Sequence, residues 1–261
     1  MTIIPAVLPP LPRERRWDRQ LTPASAFRWL AQGWHDFWIH PEASLAYGVL
    51  IFFLSAVIIG GLFVFGMDYI LFPALAGFMV VGPILAVGLY EKSRRIAAGE
   101  RVSLMRMIFV KASSGAQILF TGVLLCLLML LWMRAAVIVY ALFFGLVPFP
   151  GLDHIANMLF ATPTGWAMLV VGSCVGALFA AFSFAISAFS IPMLLDQRVD
   201  ALTAMGSSLA FVWHNLPALL TWGMIILALF LLSLATGLLG LIVVFPVLGH
   251  GTWHAYRAVQ P

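Results

Sequence analysis

The side chains whose type and spacing could do chemistry are few: His250 and His254, four residues apart, and Glu91, with Arg94 and Arg257 near them in the pattern developed below. Residues four apart share one face of a helix, and imidazole is the commonest metal-binding side chain. Between the two histidines stand Gly251, Thr252 and Trp253, so the glutamate of a zinc-protease helix is missing. His35, His40, His214, His250 and His254 are expected near one membrane surface and His154 near the other. No pair would then meet at the depth of a buried haem. Cys126 and Cys174 lie in apolar runs without a CxxC or a nearby His, and read as small buried hydrophobes. No Ser-His-Asp order, glycine-rich phosphate loop or pair of membrane carboxylates occurs. The sequence therefore predicts no catalytic residue, no metal and no cofactor. It leaves one candidate cluster, Glu91, Arg94, His250, His254 and Arg257, at the cytoplasmic mouth, where a carboxylate pairing with an imidazole would raise its pKa.

The elements that must carry these residues are set by composition. Of 261 residues, 63% are hydrophobic and 9% charged, against about 25% charged in a soluble domain. With a mean hydropathy of +1.05, the chain is expected to be an all-α polytopic membrane protein. The 14 Lys and Arg are too few and too scattered for a nucleic-acid surface. A spanning helix needs about 20 apolar residues. Ser44–Gly66, Ile70–Tyr90, Gly115–Met133 and Gly165–Leu195 qualify, and Leu216–Tyr256 divides near Ala235–Gly240 into two, giving six spans. Ala135–Val147 is apolar but short and ends in Pro148-Phe149-Pro150-Gly151; it reads as an interfacial or re-entrant segment, with a long third helix as the competing reading. Residues 1–23 read as a disordered cytoplasmic tail, 24–257 as one membrane domain, and 258–261 as a C-terminal tail.

Short loops rich in Lys and Arg stay cytoplasmic. Six spans put every Lys and Arg except Arg134 on one side, which places both termini in the cytoplasm. Arg134 is expected at the outer headgroup level, where a long side chain can snorkel.

An internal repeat appears when residues 77–94 are set against 240–257. Gly77, Val80, Val81, Pro83, Leu85, Gly88 and Arg94 fall on Gly240, Val243, Val244, Pro246, Leu248, Gly251 and Arg257. Glu91 then corresponds to His254; a pairing of the two across a pseudosymmetry axis would suit a gate or a proton-linked site, but the favoured reading is that both are polar helix ends facing water. Each unit, about 24–95 and 200–257 with a possible middle copy at 103–195, would be an interfacial amphipathic helix followed by a helical hairpin. In the first, Phe27, Leu30, Ala31, Trp34, Phe37 and Trp38 form an aromatic face toward lipid, opposite Arg28, Gln32, His35 and Asp36. Pro83, Pro192 and Pro246 are expected helix bends, with freed carbonyls near Met79 and Ile242. Mitochondrial carriers share a plan of three such hairpins, but their Pro-x-Asp/Glu-x-x-Lys/Arg signature is absent.

The stretches RWLAQGWHDFWIHPEASLAYG at 28–48, PALAGFMVVGPILAVGLYEKSRRIAAGE at 73–100 and SIPMLLDQRVDALTAMGSSLAFVWHN at 190–215 resemble the bacterial family of predicted integral membrane proteins called DUF2189. The resemblance implies an inner-membrane protein of unknown role; some members carry a cytochrome oxidase label. Two roles are carried forward. One is a non-enzymatic structural or accessory component of a membrane complex, with the lipid bilayer and other membrane subunits as partners. The other is a small-solute transporter or channel.

Overall fold

The computed structural model describes residues 17–145 and 151–260, and helices are the only regular secondary structure among them. The chain runs through α1 (Pro23–Trp38), α2 (Pro41–Val64), a 3-10 turn at Asp68–Ile70, α3 (Leu71–Leu85), α4 (Val87–Ala97), α5 (Leu104–Ile108) and α6 (Gly115–Phe144). It continues through α7 (Leu152–Phe160), α8 (Pro163–Ser187), α9 (Ser190–Asp196), α10 (Ala201–His214), α11 (Leu216–Ala235) and α12 (Leu241–Val259). Prolines in the first turn open α1, α2, α8 and α11, where the missing N–H costs no helix bond. Thr162 and Asp200 cap α8 and α10 by accepting from Gly165 N and Thr203 N, each at 2.9 Å.

Among the described residues, five stretches are long and apolar enough to cross a membrane: Pro41–Val64, Leu71–Ala97, Gly115–Phe144, Pro163–Asp196 and Leu216–Ala235. The sixth expected span, α12, is a 19-residue helix separated from α11 at the expected turn. Its second half carries His250, Thr252, His254 and Arg257, and that polarity keeps it out of the five.

Several expectations are corrected. Gly115–Phe144 is one helix of 30 residues, about 45 Å long, so the part of Ala135–Val147 within the described residues continues the third span rather than re-entering the membrane. Pro148 and Pro150 lie outside the described residues. Cys126 and Cys174 are exposed on outward helix faces, where the partner of an apolar side chain is lipid rather than protein. The tail is docked from Trp17 onward. The Trp17 ring meets Phe211 edge-on at 5.0 Å, Asn215 Nδ2 donates to Trp17 O at 2.8 Å, and Arg19 Nε donates to Val259 O at 2.9 Å. Residues 1–16 lie outside the described residues. Helix α12 itself extends to Val259, and Gln260 accepts from Gln197, so the C-terminal tail does not begin at 258.

Helix α1 forms as expected but is not a simple surface float. Phe27, Trp34 and Trp38 are exposed, whereas Ala26, Trp29, Gly33, Asp36 and Phe37 are buried, largely against α12. A Cβ on Gly33 would collide with the carbonyl of Val247, so the two backbones touch. The middle interfacial copy shrinks to the five residues of α5. Helix α2 packs mainly on α12 rather than on α3, and α11 mainly on α1, so the helices of each expected hairpin find their principal partners outside it.

The three proline bends differ. After Pro83 the helix breaks at Ala86, and the freed Leu85 carbonyl accepts from Tyr47 Oη at 2.7 Å. Ahead of Pro192, α8 stops and α9 starts, with the Ser208 hydroxyl inserted in the gap: it accepts from Phe189 N at 3.1 Å and donates to Ala185 O at 2.7 Å. Pro246 sits inside an unbroken helix. The Ile242 carbonyl it deprives of a donor packs onto Gly48 of α2, where a Cβ would collide with it. Gly48→Ala is therefore expected to lower stability by about 2 kcal/mol, read as an earlier thermal unfolding in detergent. Gly60→Ala, in open space, is the control and should leave the transition in place.

Candidate functional site

Where α1, α2, α4 and α12 converge, the structure buries a chain of polar groups. Lys92 Nζ donates to Ser44 Oγ at 2.6 Å and to His40 O at 3.0 Å. Ser44 Oγ lies 3.0 Å from His250 Nε2, and His250 Nδ1 lies 2.9 Å from Ser93 Oγ. Ser93 Oγ donates to Asp36 Oδ2 at 2.6 Å, and His254 Nε2 meets the same oxygen at 2.9 Å.

The proton positions follow from the inventory of donors. Ser93 spends its one proton on Asp36, so it must accept from His250 Nδ1–H. His250 is then the neutral tautomer whose Nε2 accepts from the Ser44 hydroxyl, and Ser44 accepts from Lys92. Every bond points the same way, from ammonium to carboxylate, through one neutral imidazole. Lys92 and His250 are fully buried, and Asp36 is 4% exposed. An isolated buried charge is costly, and here each end of the chain is the other's counter-charge, relayed through Ser–His–Ser. Burial pushes the Asp36 carboxyl up, but hydrogen bonds from His254 and Ser93 and the neighbouring imidazole charge outweigh it and hold it below its ordinary 3.8.

The expected cluster is thus divided. His250 and His254 do share a face, and both belong to this chain. Glu91 does not meet His254. It is fully buried in ion pairs within α4, to Arg94 Nη2 and Arg95 Nε, each at 2.6 Å, and Arg95 also reaches Glu100 at 2.7 Å. Arg94 donates in addition to Leu195 O at 3.2 Å. Arg257 lies 3.9 Å from Asp196 at the exposed end of α12. A glutamate with arginines one helical turn ahead finds its partners locally, before any pairing across helices is possible.

Asp36, Ser44, Lys92 and Ser93 were not singled out by the sequence. Asp36 falls on the polar arc of α1 and reads as facing water, and Lys92 reads as one more topology charge. Their burial depends on which face of α1 meets α12, and no periodicity reports that.

At the bends, a crevice of about 100 Å³ lies among α3, α4, α8, α11 and α12. Phe78, Pro83, Phe184, Phe230, Phe245 and Leu248 line it, and neither Glu91 nor His254 does. Phe78 stacks on Phe230 with ring centroids 5.6 Å apart. Among the described residues, no group of three or more His, Cys, Asp or Glu is placed to hold a metal ion.

Asp36→Asn is expected to cost about 3 kcal/mol near neutral pH by breaking two charge-assisted hydrogen bonds in a buried chain. A depressed carboxylate stabilises fully above its unfolded value and loses that contribution as pH falls through the folded one. The gap between wild type and the variant should therefore close as pH drops below 3.8. Unfolding in detergent at pH 7 and pH 3 checks this, and an equal gap at both would exclude the ionised carboxylate as its source.

Neither a curated protein nor a solved structure matches the chain. Residues 71–196, which run from the start of α3 to the end of α9 and include Glu91, Lys92 and Ser93, match the family model of DUF2189, described as a predicted integral membrane protein.

Proposed function

We propose that this integral membrane protein is a non-enzymatic structural or accessory component of a larger membrane complex, a respiratory oxidase being the kind the family resemblance names. It sits in the bacterial inner membrane through six spans, α12 being the sixth, with both ends cytoplasmic. The repeat enters this reading as a sequence relation between residues 77–94 and 240–257.

The observation that carries the reading is the apolar lining of the bends. A solute pathway through kinked helices needs the freed carbonyls or ionisable side chains to face a water-filled space. Here the side chains lining the crevice beside Pro83 and Phe245 are apolar, the Leu85 carbonyl at the break accepts from Tyr47, and the Ile242 carbonyl packs against Gly48. Outward surfaces are apolar as well: only 17% of the most apolar window is buried in Gly115–Phe144, and 17% in Pro163–Asp196. Such faces suit lipid and neighbouring subunits alike.

A proton-linked transporter is the second reading, favoured by the buried Lys92-to-Asp36 chain, since ionisable groups enclosed in a membrane protein usually mark a pathway. Two experiments separate the readings. Purification in mild detergent is expected to bring down a stoichiometric set of membrane subunits, equally with wild type and Asp36→Asn. Proteoliposomes of the protein alone are expected to show no proton flux above empty vesicles; flux abolished by Lys92→Met would put transport in first place. For topology, reporter fusions after Asp68 and Asp153 should signal outside, and those after Glu100, Asp200 and Pro261 inside. A cytoplasmic signal at Asp153 would overturn six spans.

A further inference from the structure

We propose that the segment from Arg101 to Lys111, with α5 at its centre, is a binding site for the anionic headgroup of a phospholipid. The inference requires only that the protein lies in a bilayer, and holds under either role above.

Three observations carry it. The first is which cations are left over. Within the basic stretch from Lys92 to Lys111, Lys92 is spent on the buried chain, Arg94 on Glu91, and Arg95 on Glu91 and Glu100. Arg101, Arg106 and Lys111 are all exposed, and among the described residues none has a carboxylate within ion-pairing distance. The second is the scarcity of acid along the chain: no Asp or Glu occurs from residue 101 to residue 152.

The third is the apolar partner surface between the cations. Met105 is 63% and Phe109 70% exposed, and Ile108 is exposed beside them. Met107, between them in sequence, is buried, and the carbonyl of Met107 presses on Gly88 of α4, so the segment is anchored rather than free. Six residues after Phe109 the membrane helix α6 begins. Exposed Met, Ile and Phe beside the start of a span sit at the acyl boundary, and three cations on the same short segment sit at headgroup level. Polybasic segments at that level attract anionic lipid, each charge contributing independently. A zwitterionic headgroup has no net charge to match.

The test uses the full-length protein purified in dodecyl maltoside and titrated with phosphatidylglycerol, phosphatidylcholine or inorganic phosphate, with binding read by native mass spectrometry. Phosphatidylglycerol is expected to bind, phosphatidylcholine to bind at least tenfold more weakly, and millimolar inorganic phosphate not to displace the lipid. The variant R101Q/R106Q/K111Q should lose on the order of a hundredfold in phosphatidylglycerol affinity. Two controls guard against misfolding: R101K/R106K/K111R, which keeps the charge, should bind as wild type, and so should R28Q/R134Q/R198Q, which removes three cations elsewhere. Equal loss in both glutamine variants, equal binding of the two lipids, or displacement by phosphate would each overturn the proposal.

Discussion

The arrangement of α1, α2, α4 and α12 depends on one constraint, which is that a buried ammonium and a buried carboxylate must neutralise each other. Lys92 and Asp36 do not touch. They are joined through Ser44, His250 and Ser93, with each hydroxyl and imidazole donating onward in one direction. Such a chain is satisfied only when four helices hold their registers together, because shifting any one of them strands a charge. It therefore fixes geometry as well as energy, in the way that fully connected polar networks specify a unique packing. The close contact of Gly33 with the Val247 carbonyl and of Gly48 with that of Ile242 brings α1 and α2 against α12.

The same accounting governs the bends. Backbone groups in a bilayer cannot turn to water, so each interrupted helix bond has to be repaired from within. Tyr47 repairs the break after Pro83, and the Ser208 hydroxyl fills the gap ahead of Pro192 by donating and accepting at once. At Pro246 the neighbouring helix lies against the freed Ile242 carbonyl at Gly48. The surroundings of the three prolines thus differ, and α12 stays a single helix while the segment it matches in sequence breaks at Ala86.

The charges of α4 show how local pairing limits long-range pairing. Glu91, Arg94, Arg95 and Glu100 close on one another along one helix end. That leaves His254 to Asp36, and leaves Arg101, Arg106 and Lys111 facing outward. One basic stretch thereby serves three ends: a buried counter-ion, a self-satisfied helix terminus, and a free cationic surface beside the membrane.

Although it placed the end of the third span eleven residues too early, at Met133 rather than Phe144, the sequence by itself determined the all-helical membrane class: apolar length located five long membrane helices, and the turn near Ala235–Gly240 fell where expected. These are properties of single segments, and composition reports them directly. It also named His250 and His254, because spacing of four is a local fact. The pairing of Glu91 with His254 failed, and Asp36, Ser44, Lys92 and Ser93 went unnoticed, for a shared reason. Which side chains are buried together depends on which helix faces meet, and in a chain this apolar nearly every face is hydrophobic enough to be buried or to lie in lipid. Only the tertiary structure, through the backbone contacts of α1 and α2 with α12, decided that the polar arc of the first helix would point inward.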